Sequence, residues 1–208
     1  EERNATWQEQ EILSKYVGWG GIPEAFDEKR AQWANEYQEL KETLTEEEYI
    51  AARASTLNAH FTSPAIIRGI YAALERMGFQ GGNILEPAMG VGNFFGMLPT
   101  TLLGSRLYGI ELDSISGRIA QKLYPMANIT VAGFETTNQR DFYDVAVGNV
   151  PFGNYKVNDR AYNRLGFSIH NYFFAKSLDQ IRPGGIIAYV TSHYTMDSKN
   201  PSDRRYLA

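Results

Sequence analysis

Asp144-Val145-Ala146-Val147-Gly148-Asn149-Val150-Pro151-Phe152-Gly153 is the stretch whose reading decides the fold. Tyr143 to Val147 is a short, β-branched, apolar run after polar residues, the pattern of a buried central strand, and Pro151 has no N–H with which to continue a ladder. The strand is expected to stop near Gly148 and to leave Asn149 to Phe152 at its C-terminal edge, where ligands sit in open α/β sheets. The residues there form a chemical kit. The Asn149 side-chain oxygen accepts one hydrogen bond, the Val150 carbonyl accepts another, and Phe152 offers a flat aromatic face. Two acceptors aimed at one amino group hold it and stabilise the positive charge that grows on nitrogen as it attacks an electrophilic methyl. Taken alone, the stretch reads as an ordinary strand-ending Asn-x-Pro turn. The rest of the chain changes that reading.

Upstream, Asn83-Ile84-Leu85-Glu86 is a short strand broken at Pro87, and Ala88-Met89-Gly90-Val91-Gly92-Asn93 opens a helix. Small residues at Ala88, Gly90 and Gly92 let the backbone approach a ligand closely, and a helix start presents unpaired N–H groups. No Gly-Lys-Ser/Thr follows, which excludes a Walker phosphate loop, and the third spaced glycine of the dinucleotide fingerprint is missing. Glu86 would repel a phosphate and attract an ammonium group. Arg106 to Ile110 is the next strand, ending in Glu111-Leu112-Asp113, about twenty residues after the glycine turn, the placement of a carboxylate that binds ribose hydroxyls. Glu86 and Glu111 together describe a ligand with an amine and a ribose but no phosphate in the loop, namely S-adenosylmethionine. Glu111 also has a plain structural reading, as a helix-start acid before Ser114 to Leu123.

Asn128 to Val131 is a third strand, ending in Ala132-Gly133-Phe134-Glu135, and an aromatic there can lie against an adenine. Gly153 to Gly166 reads as a mobile loop of positive sign, with Lys156, Arg160 and Arg164 against Asp159 alone; it is either a solvated surface loop or a substrate guide. Ser168 to Ile181 is an amphipathic helix with Tyr172, Phe173, Leu178 and Ile181 inward. Pro183-Gly184-Gly185 turns the chain into a fifth strand, Ile186 to Thr191, with Ser192-His193-Tyr194 beside the site. Helix and strand alternate, so the expected fold is α/β, a mostly parallel sheet with helices on both faces.

Residues 1 to 58 read as a helical extension, and 59 to 208 as the main domain. Glu9 to Tyr16 is a short amphipathic segment stopped by Gly18-Trp19-Gly20-Gly21-Ile22-Pro23, with Trp19 read as a packing residue rather than a cover for a ligand. Phe26 to Leu44 is expected as one helix with Trp33, Tyr37 and Leu40 in a stripe, and Thr45 to Glu48 as a capping box opening another. Ser63 caps a helix begun by Pro64, buried through Ile66, Ile67, Ile70, Tyr71 and Leu74 and stopped at Gly78. His60 and Thr62 stand just ahead of it.

The composition bounds the rest. The chain has 208 residues, no Cys and three His, so disulfides, a thiolate metal site and a His-based metal centre are not expected. No apolar run is long enough to span a bilayer and no signal-peptide pattern is present, so an intracellular, cytoplasmic setting and no membrane partner are expected. A net charge of -4 argues against a free-standing nucleic-acid-binding module. A first residue of Glu and a final segment like an interrupted helix suggest a piece of a longer protein.

With these segments placed, the chain resembles the N6-adenine DNA methyltransferases of the amino-methylating class, and in particular the methylase domain of large methylase-helicase proteins of conjugative elements and phages. Ile84-Leu85-Glu86-Pro87-Ala88-Met89-Gly90-Val91-Gly92-Asn93-Phe94 matches the class's cofactor loop, Asn149, Pro151 and Phe152 match its Asn-Pro-Pro-Tyr/Phe motif, and Leu13 to Gly21 resembles the narrower group. The resemblance implies a Rossmann-like fold in which Glu86 and Ala88 line the methionine end of S-adenosylmethionine, with Gly90 and Gly92 in the same cofactor-binding loop and Thr62 in the cofactor motif that precedes it. Glu111 would bind the ribose, Leu112 and Phe134 would sandwich the adenine, and Asn149, Val150, Pro151 and Phe152 would hold a flipped target base. It further implies a DNA substrate reached through additional domains, a linked helicase region, and no metal. Two positions depart from the pattern. Val150 stands where the class has Pro, at an expected cost in rigidity; Gly133 stands where many relatives have an Asp, so either Glu135 supplies that contact or it is absent. The fold's closing strands and a target-recognition domain are not in the sequence, so weak or no activity is expected of this stretch alone. Two rivals remain open: a non-catalytic module that steers a helicase, and methylation of a protein glutamine or an RNA base.

Overall fold

The computed structural model describes residues 3–56, 62–151, 153, 156–197 and 202–207. Five strands, β1 (Asn83–Glu86), β2 (Arg106–Glu111), β3 (Asn128–Val131), β4 (Tyr143–Asn149) and β5 (Ile181–Val190), form one parallel sheet in the order β3-β2-β1-β4-β5. The chain works outward from β1 to β3, then returns to lay β4 on its other side. Among the described residues no helix is long and apolar enough to cross a membrane.

The period-2 alternation of the central strands sorts their side chains onto two faces. Ile84, Val145 and Val147 pack with Ile67, Tyr71 and Leu74 of the helix α4 (Pro64–Arg76). Leu85 and Ala146 turn the other way, against Ile169, Tyr172 and Phe173 of α7 (Ile169–Gln180). Helices thus cover both faces, as the alternation of elements predicts. Ile66 is 49% exposed and Leu178 is 43% exposed, so both lie outside the faces assigned to them; adjacent members of a helical stripe cannot all point inward when the sheet offers a narrow contact.

Three expected boundaries shift. Strand β4 runs one residue further, to Asn149, because the Val150 N–H still donates to the Val190 carbonyl at 3.1 Å. Strand β5 begins at Ile181 and bulges across Arg182 to Gly185, since Tyr143 pairs with Ile181 and Val145 with Ile186. The region expected as one helix from Phe26 to Leu44 is two 3-10 turns, Pro23–Phe26 and Ala31–Trp33, followed by α2 (Ala34–Thr43). The capping box of α3 (Glu46–Ser55) forms as read, with Thr45 and Glu48 exchanging hydrogen bonds of 3.0 and 3.2 Å. The helix α1 (Trp7–Leu13) and α3 both dock on α6 (Ser114–Leu123), the helix that follows β2. Gln10 donates to the Lys122 carbonyl at 3.1 Å, Arg118 pairs with Glu48, and Ile115 packs on the cluster of Phe26, Leu40 and Tyr49.

Asp144 ties the inner strands together at their N-terminal ends. Its carboxylate accepts the Asn83 N–H at 2.7 Å and pairs with Arg182 at 3.0 Å, linking β4 to β1 and β5. Gly82 makes room for it, since a Cβ there would lie 2.1 Å from Asp144 Oδ2. Asp144→Ala strands a partly buried N–H and is expected to destabilise the fold by about 1–3 kcal/mol. Arg182→Ala, at a side chain 47% exposed, removes a solvated partner of Asp144 and one of two side-chain donors to the Phe142 carbonyl, and is expected to cost less than about 1 kcal/mol. Urea denaturation of the two variants checks the order.

Candidate active site

The C-terminal ends of β1, β2, β3 and β4 open onto one cavity of about 690 Å³. The reversal of strand order beside β1 separates the loops that follow neighbouring strands and leaves this crevice between them. Thr62, Glu86, Ala88, Gly90, Glu111, Leu112, Phe134, Asn149, Val150 and Pro151 all line it. Phe152 lies outside the described residues, as does His60. Gly92 does not line the cavity. It caps α5 (Asn93–Gly96) at φ 85°, and a Cβ there would come 2.5 Å from the Tyr124 ring, so packing and backbone conformation require this glycine. Ser192, His193 and Tyr194 are likewise not among the lining residues.

The two acids occupy different settings. Glu86 is 2% exposed, and its Oε2 is buried with no hydrogen-bond partner among the described residues. Burial pushes its carboxyl well above the usual carboxylate range, and the neighbouring Glu111 charge adds to the rise. An orphaned acceptor of this kind carries a desolvation cost until a donor reaches it. Glu111 ends β2 and bridges two turns: its Oε2 accepts the Gly90 N–H at 2.7 Å and its Oε1 the Asp113 N–H at 2.7 Å. Withdrawal from water raises this carboxyl to about 7, against the lowering effect of those two N–H donors. Gly90 itself sits at φ 56° with nothing within 4 Å of where a Cβ would stand, which leaves a bare cradle between the acids. Thr62 adds to the same wall a second buried oxygen, Oγ1, with no hydrogen-bond partner among the described residues.

At the third strand end, Phe134 is buried and stacks on Phe173, with centroids 5.1 Å apart and planes at 28°. Leu112, 76% exposed, stands on the rim. The Glu135 carboxylate folds back over Gly133, so closely that a Cβ at 133 would lie 2.1 Å from Oε1. An acidic group therefore reaches the cavity wall here although position 133 carries none. At the fourth strand end, Val150 is 1% exposed and its N–H is fixed on β5. That bond is one a proline could not make, so the expected loss of rigidity at this position is offset.

Sequence reasoning missed the contribution of the N-terminal segment. Gly18, in the Gly-Trp-Gly-Gly loop, and Ala51, Ala54 and Ser55 of α3 form part of the cavity wall, with Asp113 and Ser116 of the β2 turn and α6. The run of small residues on the last turns of α3 was the available signal. Lys156, Val157 and Asn158 of the loop after β4 close another side.

No protein-family model matches the chain. It is 30% identical over 151 residues to Defense against restriction protein B of Escherichia phage P1, an alignment that takes in 70% of this chain and 6% of that protein. It is 33% identical over 93 residues to Type II methyltransferase M.CvrRI of Paramecium bursaria Chlorella virus XZ-6E, covering 44% of this chain and 24% of the relative. The chain thus spans a minor part of either relative. Among solved structures, a Listeria monocytogenes protein assigned to the class I S-adenosylmethionine-dependent methyltransferases superposes with a TM-score of 0.57 at 16% identity, over 86% of this chain and 64% of that one. The five-stranded parallel sheet, its order and its flanking helices are the Rossmann-like fold of the S-adenosylmethionine-dependent methyltransferases.

Proposed function

We propose that the chain binds S-adenosylmethionine and transfers its methyl group to the exocyclic N6 of adenine in DNA, the base being extruded from the duplex. The observation that carries this reading is that Asn149, Val150 and Pro151 line the same cavity as Glu86, Gly90 and Glu111. The residues fit the cofactor by their chemistry. Glu86 offers its orphaned oxygen to the α-ammonium, the bare Gly90 turn admits the methionine backbone, Glu111 has lone pairs left for ribose hydroxyls, and Phe134 and Leu112 flank the adenine. The viral relative's name as a methyltransferase supports the same reaction type.

When bound, the cofactor supplies an electrophilic methyl on a sulfonium. The protein's share is positioning and electrostatics. The Asn149 side-chain oxygen and the Val150 carbonyl accept the two N–H groups of the target amine, which directs its lone pair at the methyl and stabilises the charge that develops on nitrogen. The hydrogen bond from the Val150 N–H to the Val190 carbonyl anchors the residue that carries that carbonyl on β5. Phe152 is assigned to stack on the extruded base, because an amine within the duplex stack is out of reach. The loop cations Lys156, Arg160 and Arg164 set a positive sign beside this entrance in a chain of net charge -4, and further domains of a longer protein would supply most of the grip on DNA, with a linked helicase region among them.

Three tests follow. In the longer protein that supplies the grip on DNA, Asn149→Ala is expected to lower methyl transfer by about a hundredfold or more, while S-adenosylhomocysteine binds this chain within about twofold of the unaltered sequence. Radiolabelled methyl followed into DNA, RNA and protein fractions, beside calorimetry, reads both; label in RNA or protein reassigns the substrate. Glu111 binds hydroxyl donors best when ionised, so the ligand lowers its pKa, and the affinity is full above the free value of about 7 and declines as pH falls beneath it. Titrations from pH 8 to pH 5.5 should show about a tenfold loss per unit from Glu111, and Glu111→Gln should make the profile shallower by that share, leaving the part due to the buried Glu86 carboxyl. Finally, Ala54→Trp projects bulk into the cavity from α3 and is expected to cost at least about tenfold in cofactor affinity, whereas Ile50→Trp, on the same helix but 59% exposed and off the wall, should change it by less than about twofold.

A further inference from the structure

A lysine that the sequence pattern places on an ordinary amphipathic helix is buried in the structure. Lys176 of α7 is 4% exposed, and its ammonium reaches two segments far apart in the chain. It donates to the Glu135 carbonyl at 3.2 Å, at the turn that carries Phe134, and to Asp159 Oδ2 at 2.7 Å, in the loop that follows β4. Asp159 is 8% exposed and is the only acid between Gly153 and Gly166. It also accepts the Tyr172 hydroxyl at 2.8 Å and the Ala161 N–H at 3.0 Å. Burial pushes its carboxyl up, and these donors outweigh burial and hold it below the usual aspartate range. Asn163 completes the knot, its side chain accepting the Asp159 N–H at 2.9 Å while its own N–H donates to the Asp159 carbonyl at 2.8 Å.

The loop's one negative charge is therefore used internally. The loop's three cations, Lys156, Arg160 and Arg164, remain exposed, and none forms an ion pair among the described residues. The two ends of the knot reach the cavity from opposite sides: Phe134 and Glu135 on the strand β3 side, and Lys156, Val157 and Asn158 on the β4 side. A buried ion pair with its remaining positions filled by hydrogen bonds specifies one arrangement of the parts it joins, because removing either partner leaves the other charge stranded.

We infer that Lys176 is a positioning residue that straps the adenine-side wall of the cavity to the substrate-side loop, so that filling the cavity with cofactor orders the loop for the second substrate. The inference rests on the cofactor reading given above. Lys176 is not among the residues that line the cavity. It acts through the Glu135 carbonyl and the Asp159 carboxylate, and the coupling is reciprocal, as any linkage of two binding events must be.

The amides of residues 159 to 163 report on the strap, since those residues take part in the knot and 159 to 163 do not line the cofactor cavity. Their hydrogen exchange is measured with and without S-adenosylhomocysteine, together with its affinity by calorimetry. In the unaltered chain the ligand is expected to slow exchange at these amides by about fivefold or more. Single variants strand a buried charge and can fail to fold, so the informative variant is the pair Asp159→Asn with Lys176→Met, which removes both charges and keeps the volumes. The pair is expected to keep a cooperative thermal transition, to lose the ligand-linked slowing at 159 to 163, and to bind the ligand at least about fivefold more weakly. Ligand-linked slowing that persists in the double variant overturns the strap while leaving the cofactor reading intact. Absence of any binding by the unaltered chain overturns both.

Discussion

The parallel register of β1 with both its neighbours is the constraint on which the rest of the structure depends. Glu86 pairs with Gly109 on one side, and Leu85 with Ala146 on the other, so β2 and β4 each run two residues past the end of β1, and their last residues, Glu111 and Asn149, stand level on either side of it. A slip of one residue would turn every central side chain to the opposite face and take Glu86 out of the crevice. Packing on both faces excludes that slip, because Ile84 and Leu85 belong to different cores. Once the register is set, the loops that follow these strands have no choice but to share one mouth. Function at this edge is therefore a by-product of how the hydrophobic pattern resolves.

The chemistry of the mouth is costly for an empty protein. A fully buried carboxyl with an orphaned oxygen and a second carboxyl raised to about 7 stand in one cavity, beside a glycine turn with no side chain to fill it. Native folds keep such groups where a ligand compensates for them. The surrounding structure holds the parts in place without filling the space. Glu111 grips the Gly90 turn, Val150 is anchored on β5, and the N-terminal helices clamp α6 through Glu48 and Gln10.

Most of the sheet and much of the site were legible in the sequence for physical reasons. Short β-branched runs ended by Pro87 or Pro151 are local signals that tertiary packing does not overturn. What escaped was long-range. Gly18 and the small face of α3 reach the cavity only because α3 docks on α6, and nothing local announces that docking. Lys176 looks like a solvated residue of an amphipathic helix until Asp159, seventeen residues earlier, folds beneath it. Gly92 reads as part of the cofactor loop because it is small and matches the family motif, but its neighbour in the fold is the ring of Tyr124. The apolar stripes of α4 and α7 were read one residue too wide, at Ile66 and Leu178, since helical periodicity fixes the direction of a face but not its breadth.

The most direct measurement of the central claim is a crystal structure of the chain grown with S-adenosylhomocysteine. The account predicts ligand density in the cavity between Glu86, Gly90 and Glu111, with the amine end toward Glu86 and the adenine between Leu112 and Phe134, leaving Asn149 facing the sulfur across open space. Ligand bound elsewhere, or a bound ligand whose sulfur is screened from Asn149, would contradict it.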